Sequence, residues 1–422
     1  MNSTSFMQNY LHIRSYLTDR KAQDVIISSV AEQTVRMQGK SSKWALSPAW
    51  RYALLVFLVM RLTLSIWMWG VRQVFQQPIS PDPVLRPYLG VKIETNPWLE
   101  PWQRWDAIHY QAIAERGYQA FGGAVFTPPL YPLLVRLLTM LSGASSLLAG
   151  ILISNLAFLA SLAALYDLIE KETGDSKQAR RGLVYLASFP TAFFFLAGYS
   201  ESLYLLAAIL SLYMVQQQKW VWGGIWGAVT ALTRLTGALM IVPLAFAAWE
   251  KFREKSTFRP WIAPALTLSG VLIFPLYTWL DLGYPPWEPW LVQAARSQGG
   301  LAFPGYSLFL ALQGIMTGNF VLADLFDAGF LILFLATLPA IFRKLPPIYG
   351  IYQTVYLALY LSRVSHMQAL LSTARYVVVL FPAFIIFAEW GQRRWVNRVF
   401  LYASWIGLLL LSGQFAIWGW VG

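Results

Sequence analysis

One short segment of the chain combines a carboxylate, an imidazole and a phenol at helical spacing. Asp106, His109 and Tyr110 fall in the run Trp-Asp-Ala-Ile-His-Tyr, and residues three and four apart share one face of a helix. Trp102 and Trp105 lie just before the acid and predict a position at a membrane interface, where tryptophan is enriched. A partly desolvated carboxylate can serve as a general base. The alternative is an aromatic interface belt that contains an incidental acid.

A second carboxylate and an arginine occur in later hydrophobic segments. Glu201 follows Tyr199 and Ser200 at the predicted junction of two membrane spans. Glu201 and Tyr199 are candidates for orienting a substrate, as are Trp105, His109 and Tyr110. The alternative for Glu201 is that it only caps the next helix, where an acid is favoured. Arg234 interrupts a hydrophobic run between Thr233 and Leu235. It is predicted either to pair with Glu201 or Asp106, or to bind an anion.

A third cluster is basic. Arg363 and His366 precede Arg375 by a few residues, at the predicted outer end of one span and the start of the next. Guanidinium groups bind phosphate in a bidentate manner, so these three residues and Arg234 are candidates for a phosphate site. Snorkelling towards lipid headgroups is the alternative for the arginines.

Several kinds of catalyst are excluded by what the sequence lacks. It has no GxGxxG motif, no P-loop lysine motif and no Asp-x-Asp pair, which argues against a nucleotide or nucleotide-sugar site. It has no cysteine and only three scattered histidines, too few for zinc. Asp324 and Asp327 have no clustered ligands around them, so no metal or other cofactor is predicted. A membrane enzyme of this kind needs an activated donor that resides in the membrane, and a lipid-phosphate-linked substrate fits.

The elements that must position these residues are membrane helices. The 422 residues are 57% hydrophobic and 12% charged, against about a quarter charged in soluble domains, and the mean hydropathy is +0.49. Hydrophobic runs of about 20 residues predict an all-α polytopic membrane protein. The net charge of +12 lies in short clusters between these runs. It is therefore interpreted as a signal of topology, and no nucleic-acid partner is predicted.

Predicted spans cover 52–71, 147–168, 182–198, 200–216, 261–280, 320–342, 347–362, 376–390 and 399–421. The positive-inside rule is satisfied if residues 220–249 form two short helices that meet near Arg234 and residues 128–142 form an outer interfacial helix. About eleven passes result, with the N-terminus inside. The predicted organisation is a cytoplasmic polar tail over 1–48 and a catalytic domain over 49–422, with a long outer loop at about 72–146. The basic residues in spans or on the outer side are Arg61, Arg72, Arg86, Lys92, Arg104, Arg116, Arg136, Arg234, Arg296, Arg363 and Arg375.

Five blocks in order resemble the motifs of the PIG-V family of membrane mannosyltransferases, which belong to the GT-C class. The blocks are Arg104–Tyr118, Phe126–Pro132, Pro190–Leu203, Thr233–Gly237 and Arg375–Pro382. One departure is Thr127, where the family usually has an aromatic or aliphatic residue before the proline. The likeness runs from about residue 52 to 390.

The resemblance implies a GT-C-like fold and metal-independent transfer of mannose from a polyprenyl- or dolichyl-phosphate donor, with inversion at the sugar carbon. Asp106 occupies the position of the proposed catalytic base. The implied site faces outward from a bacterial plasma membrane, which the short loops favour, or faces the lumen of the endoplasmic reticulum in a eukaryote. The acceptor is a glycan, lipid or protein hydroxyl.

Two other functions remain open at this point. A transporter or flippase for lipid-linked sugars also uses intramembrane charges, although paired broken helices with internal symmetry are expected there and are not evident. A transferase for another lipid-linked sugar would differ only in its substrate.

Overall fold

The computed structural model describes residues 46–75, 78, 80–82, 85–366 and 368–421, and most of these residues are helical. The helices are α1 (Pro48–Val74), α2 (Asp106–Arg116), α3 (Leu130–Ser142), α4 (Ser146–Thr173), α5 (Ser176–Ser188), α6 (Glu201–Gln216), α7 (Trp220–Thr233), α8 (Ile241–Lys255), α9 (Ile262–Leu280), α10 (Glu288–Arg296), α11 (Tyr306–Thr317), α12 (Leu322–Lys344), α13 (Pro347–Ser362), α14 (Thr373–Val377), α15 (Pro382–Trp390) and α16 (Arg394–Ala416). Strands β1 (Gly299–Leu301) and β2 (Arg363–Ser365) form an antiparallel pair. The mostly helical architecture that the sequence predicts is confirmed.

The protein is a multi-pass membrane protein. Within the described residues, six helical segments are long and apolar enough to cross a bilayer; they cover 48–74, 146–173, 235–255, 259–280, 322–344 and 394–416. Shorter apolar helices are α3, α6 and α11. The total of eleven passes and the sidedness of the loops stay predictions. The predicted tail over 1–48 lies outside the described residues except for its last three.

Two predicted spans are wrong, because proline interrupts them. The span at 182–198 ends at Ser188, and the next residue is extended (φ −57°, ψ 141°). Pro190 follows, and the residue before a proline is disfavoured in the helical region. The span at 376–390 divides into α14 and α15, with Pro382 at the first position of the second helix, where its missing N–H is tolerated.

The predicted break at Arg234 is present. The helix α7 ends at Thr233, Arg234 is extended (φ −146°, ψ 143°), and a 3₁₀ turn over Leu235–Met240 leads into α8. A Cβ on Gly237 would lie 2.1 Å from the Thr230 carbonyl oxygen. Only glycine lets the chain fold back this closely on the last turn of α7, and this fold directs the Arg234 side chain away from the helix axis.

Between α5 and α6 the backbone is irregular yet fully buried over residues 189–200. Irregular backbone at membrane depth is tolerated where protein groups satisfy its carbonyls. The Ser202 hydroxyl donates to Phe195 O at 2.7 Å, and Asn155 and Arg61 donate to Leu196 O at 2.9 and 3.3 Å. These bonds hold the segment that presents Tyr199 and Glu201, and they give Arg61 the internal structural role that its mid-span position suggests.

The loop between α9 and α11 is joined to the end of α13 by the two strands. Gly299 pairs with Ser365 and Leu301 with Arg363. Helix α10 directly precedes β1 and packs against the 3₁₀ turn over Ala124–Phe126, where a Cβ on Gly123 would lie 3.1 Å from Val292. The loop that carries α10 and the segment that carries Arg363 are therefore joined by backbone hydrogen bonds.

Candidate active site

Asp106 begins helix α2, and the backbone immediately before it is strained. Trp105 has φ 50° and ψ −119°, a left-handed conformation that a bulky residue rarely adopts. Its ring packs edge-on against Trp418 and Trp420, with centroids 5.6 and 5.1 Å away. Strain of this kind persists only where the surroundings over-determine the conformation. The C-terminal tryptophans thus fix the direction in which α2 starts.

Arg104 holds the same segment through an ion pair and hydrogen bonds. Its side chain is fully buried, forms an ion pair with Glu100 at 2.5 Å and donates to the Ala416 carbonyl at 2.9 Å. The Tyr199 hydroxyl donates to the Arg104 carbonyl at 3.0 Å. Because these bonds join α16 and the irregular 189–200 segment to the residues before Asp106, the carboxylate is held at the meeting point of three separate parts of the chain.

Four charged side chains form what we call the ion cluster: Asp106, Glu201, Arg234 and Arg375. Arg375 bridges both acids, with Nη2 2.7 Å from Asp106 Oδ2 and Nε 2.5 Å from Glu201 Oε1. Arg234 Nη1 lies 2.7 Å from the same Glu201 oxygen. The side chains of Glu201 and Arg375 are 1% and 5% exposed, whereas Asp106 is 30% exposed. Asp106 is therefore the acid of the ion cluster that a ligand can reach.

The surroundings of Asp106 keep it ionised. Burial acts to raise its pKa, but Arg375 and the His109 imidazole, whose Nδ1 lies 3.3 Å from Asp106 Oδ1, more than offset burial. The pKa of Asp106 is consequently well below its ordinary value. The predicted contact between His109 and Asp106 on one face of α2 is present, whereas the Tyr110 hydroxyl contacts Ser200.

Among the residues that the structure describes, two of the four arginines near the site have no carboxylate within ion-pair distance. Arg363 lies 5.4 Å from the centroid of the Tyr376 ring, which Arg234 and Arg375 also contact at 5.3 and 5.9 Å. In the described part of the chain, Arg363 has no acid within ion-pair distance. It therefore adds a positive charge that the neighbouring acids leave uncompensated.

Arg296 is the second such cation, and sequence reasoning assigned it no role. Its guanidinium lies 4.3 Å from the Phe126 ring centroid and 6.0 Å from the Phe121 ring centroid. The Phe121 ring also stacks on the His109 ring, with their centroids 5.1 Å apart. Burial lowers the pKa of Arg296, and the negative charge of Asp106 acts to raise it. The two residues therefore interact electrostatically. The available signal was an unexplained arginine in the loop between two predicted spans. The four guanidiniums and two carboxylates of the site carry a formal charge of +2.

Of the remaining predicted residues, Tyr110 and Tyr199 lie beside the ion cluster and His366 does not. Tyr110 faces inward, with its hydroxyl 2.7 Å from Ser200 Oγ, and the Tyr199 ring lies 4.6 Å from the Arg375 guanidinium. Both residues are buried next to the ion cluster. His366 is exposed at the end of β2, and within the described residues its side chain makes no hydrogen bond, ion pair or ring contact with the ion cluster. The structure thus does not bring His366 into the site.

Comparison with known proteins places this site in a family context. The profile of the Mannosyltransferase (PIG-V) family matches residues 50–275, which include Asp106, Glu201 and Arg234. GPI mannosyltransferase 2 from each of two strains of Cryptococcus neoformans var. neoformans serotype D is 25% identical over 202 residues, covering 42% of this chain and 47% of the relative. The chain thus spans about half the length of the curated relatives it matches.

One solved structure is also similar, that of ArnT from Cupriavidus metallidurans bound to undecaprenyl phosphate. Its TM-score is 0.47 at 14% sequence identity, over 86% of this chain and 76% of that one. The family match covers more than half of the 422 residues and confirms the resemblance found in the motifs. The chain belongs to the Mannosyltransferase (PIG-V) family.

Proposed function

We propose that this protein is a membrane glycosyltransferase that moves mannose from a lipid phosphate to an acceptor hydroxyl. The observation that carries the proposal is the ion cluster. It places a reachable carboxylate, Asp106, 2.7 Å from a guanidinium of Arg375, in a site with two more positive than negative side chains. A base beside an excess of positive charge suits a reaction in which a hydroxyl loses a proton and a phosphate departs.

Asp106 acts as the general base. It accepts the proton of the acceptor hydroxyl as the oxygen attacks the anomeric carbon, and the bond from that carbon to the phosphate oxygen breaks with its electron pair on the phosphate. A single displacement of this kind inverts the anomeric centre. The depressed pKa of Asp106 keeps it unprotonated in the resting protein. When the donor phosphate draws Arg375 away, the carboxylate loses its counter-charge and becomes a stronger base.

The phosphate is bound by arginines. Arg363 and Arg296 have no acid partner in the described residues, so binding an anion breaks no ion pair of theirs. Arg375 and Arg234 then stabilise the charge that develops on the leaving group in a partly dehydrated site. Arginine suits this role because its planar fork binds two phosphate oxygens at once.

Glu201 orients the arginines and a sugar hydroxyl. Its Oε1 binds both Arg234 and Arg375, whereas the buried Oε2 has no hydrogen-bond partner within the described residues. An unpaired buried carboxylate oxygen is costly. Once the donor phosphate draws Arg375 away, Glu201 becomes accessible and a hydroxyl of the bound sugar would satisfy this oxygen. His109 holds Asp106 through its contact at 3.3 Å.

The proposed substrate is drawn from the family to which the chain belongs. The family match and the name of the relative GPI mannosyltransferase 2 support mannose as the transferred sugar. Arg363 and Arg296 support a phosphate as the leaving group, and a polyprenyl or dolichyl phosphate would keep the donor in the membrane. We place the reaction on the outer face of the membrane, or the lumenal face in a eukaryote, with the helices forming a GT-C-like domain and the lipid chain among them. The acceptor is a hydroxyl of a glycan, lipid or protein.

The test is a transfer assay with the purified protein in nanodiscs and a synthetic polyprenyl-phosphate mannose that carries a radiolabel. Asp106→Asn should lower turnover by about 100-fold or more. Asp281→Asn is the matched control, because Asp281 is exposed and should leave turnover unchanged. Wild-type turnover in Asp106→Asn would remove this residue from the base role. Movement of the intact lipid-linked sugar across a liposome membrane without transfer would instead favour a transporter.

A further inference from the structure

Asp327 is a buried carboxylate within the long apolar helix α12, and the mechanism above does not use it. Only 3% of the residue is exposed, and no described cation lies within ion-pair distance of it. An ionisable group in a membrane helix is costly and is usually functional. The preceding acid, Asp324, has a simpler explanation, since its carboxylate accepts the Val321 N–H at 2.9 Å and caps the helix.

The hydrogen bonds of Asp327 lead to the segment that carries Arg375. Oδ1 accepts the Ala374 N–H at 2.5 Å, and Oδ2 accepts from Gln368 Nε2 at 2.8 Å. On the other side of the same residue, the Ala374 carbonyl accepts from the Thr191 hydroxyl at 2.9 Å. Ala374 is therefore held through both of its backbone polar groups, one residue before Arg375.

This segment needs external support. Helix α14 has only five residues, too few to be stable alone, and Ser372 before it has φ 62°, a conformation unfavourable for a residue with a side chain. A hydrogen bond contributes about 0.5–1.5 kcal/mol, and Asp327 makes one to the Ala374 N–H and one to the Gln368 side chain. The two bonds together fix this turn.

We propose that Asp327 is a positioning residue that holds the Arg375 backbone so that the guanidinium bridges Asp106 and Glu201. Arg375 must reach two acids at 2.7 and 2.5 Å together, and a small rotation of α14 would break one contact. Asp327 does not touch the reacting groups and acts through its hydrogen bonds to Ala374 and Gln368. Its kinetic consequences rest on the proposed transfer reaction, whereas its structural coupling to Arg375 does not.

The first test is kinetic and uses three variants of the full chain. Asp327→Leu removes the acceptor and should lower kcat by about 100-fold, the typical effect of a misplaced catalytic geometry, with a much smaller change in donor KM. Asp327→Asn retains an oxygen for the Ala374 N–H and should recover most of the activity. Asp324→Asn is the matched control and should behave like wild type. Equal losses in Asp327→Leu and Asp327→Asn would overturn the proposal.

The second test is a double-mutant cycle with Arg375→Gln, measured by thermal unfolding without any substrate. If Asp327 acts through Arg375, the destabilisation by Asp327→Leu should be clearly smaller in the Arg375→Gln background. Independent sites would instead add within about 0.5 kcal/mol, and additivity would refute the coupling whether or not the protein transfers sugar. If Asp327→Leu fails to fold, Thr191→Val removes the second bond to Ala374 and completes the same cycle.

Discussion

Arg375→Gln tests the electrostatic centre of the site most directly. The substitution removes the guanidinium that joins Asp106 and Glu201 but keeps a polar, although shorter, side chain. Removing one partner of a buried ion pair costs about 3–5 kcal/mol. Here Glu201 retains Arg234 at 2.7 Å and Asp106 is 30% exposed, so both acids keep some compensation. We therefore expect the low end, a loss of about 3 kcal/mol in the free energy of unfolding.

Arg375→Lys is the matched control. Lysine preserves the positive charge but is a point charge without the planar fork, so it can approach one acid and not both. It should lose one hydrogen bond to a charged group, which is about 1.5–3 kcal/mol. Unfolding by SDS titration of the purified proteins measures both losses. If Arg375→Gln is as stable as wild type, or if Arg375→Lys loses more than Arg375→Gln, the bridging role is refuted.

Arg375→Gln should also change the pH dependence of kcat/KM. In the wild type the pKa of Asp106 is depressed, so the stabilisation that its ionised form contributes is present above the ordinary carboxyl pKa and is lost as the pH falls through the depressed value. Without Arg375, less positive charge opposes the effect of burial, so the pKa of Asp106 rises. The acid limb of kcat/KM should therefore move to higher pH in Arg375→Gln. Superimposable pH profiles of the two proteins would show that Arg375 does not control the charge of Asp106.

Two further predictions concern donor binding and the break between α7 and α8. Arg363→Gln and Arg296→Gln should each raise the donor KM by about 10-fold or more and change kcat less, because each loses a charged hydrogen bond of about 1.5–3 kcal/mol. Arg136 is an exposed arginine on α3, so the control Arg136→Gln should change neither value in a steady-state assay. Gly237→Ala should destabilise the protein and lower activity, because its Cβ would lie 2.1 Å from the Thr230 oxygen, whereas Gly329→Ala in α12 meets nothing within 4 Å and should retain wild-type thermal unfolding and turnover.

Local features of the site could be predicted because they depend on short-range spacing. The helix that places His109 beside Asp106 follows from a separation of three residues. The break at Arg234 follows from the length of the hydrophobic run around it, and charge alone indicated where a catalyst could lie. Proline was the signal that should have divided the predicted spans at 182–198 and 376–390.

Long-range contacts could not be predicted in the same way. Sequence reasoning grouped His366 with Arg363 and Arg375 because they are neighbours in the chain, yet His366 is exposed and separate from the ion cluster. It left Arg296 without a role because the contact with Phe126 joins two distant loops. Asp327 was similarly unremarkable, since its partner is the backbone N–H of Ala374, a group that every residue except proline possesses.

The amino-acid sequence by itself determined the membrane class of this protein, its family and the short list of charged residues able to do chemistry, because hydropathy and motif spacing are properties of contiguous residues. Only the tertiary structure decided which charges compensate each other. Asp106 and Arg375 are 269 positions apart, and their 2.7 Å contact exists because α2, the buried 189–200 segment and α14 converge. An ion pair depends on distance in space, and no local pattern encodes that distance.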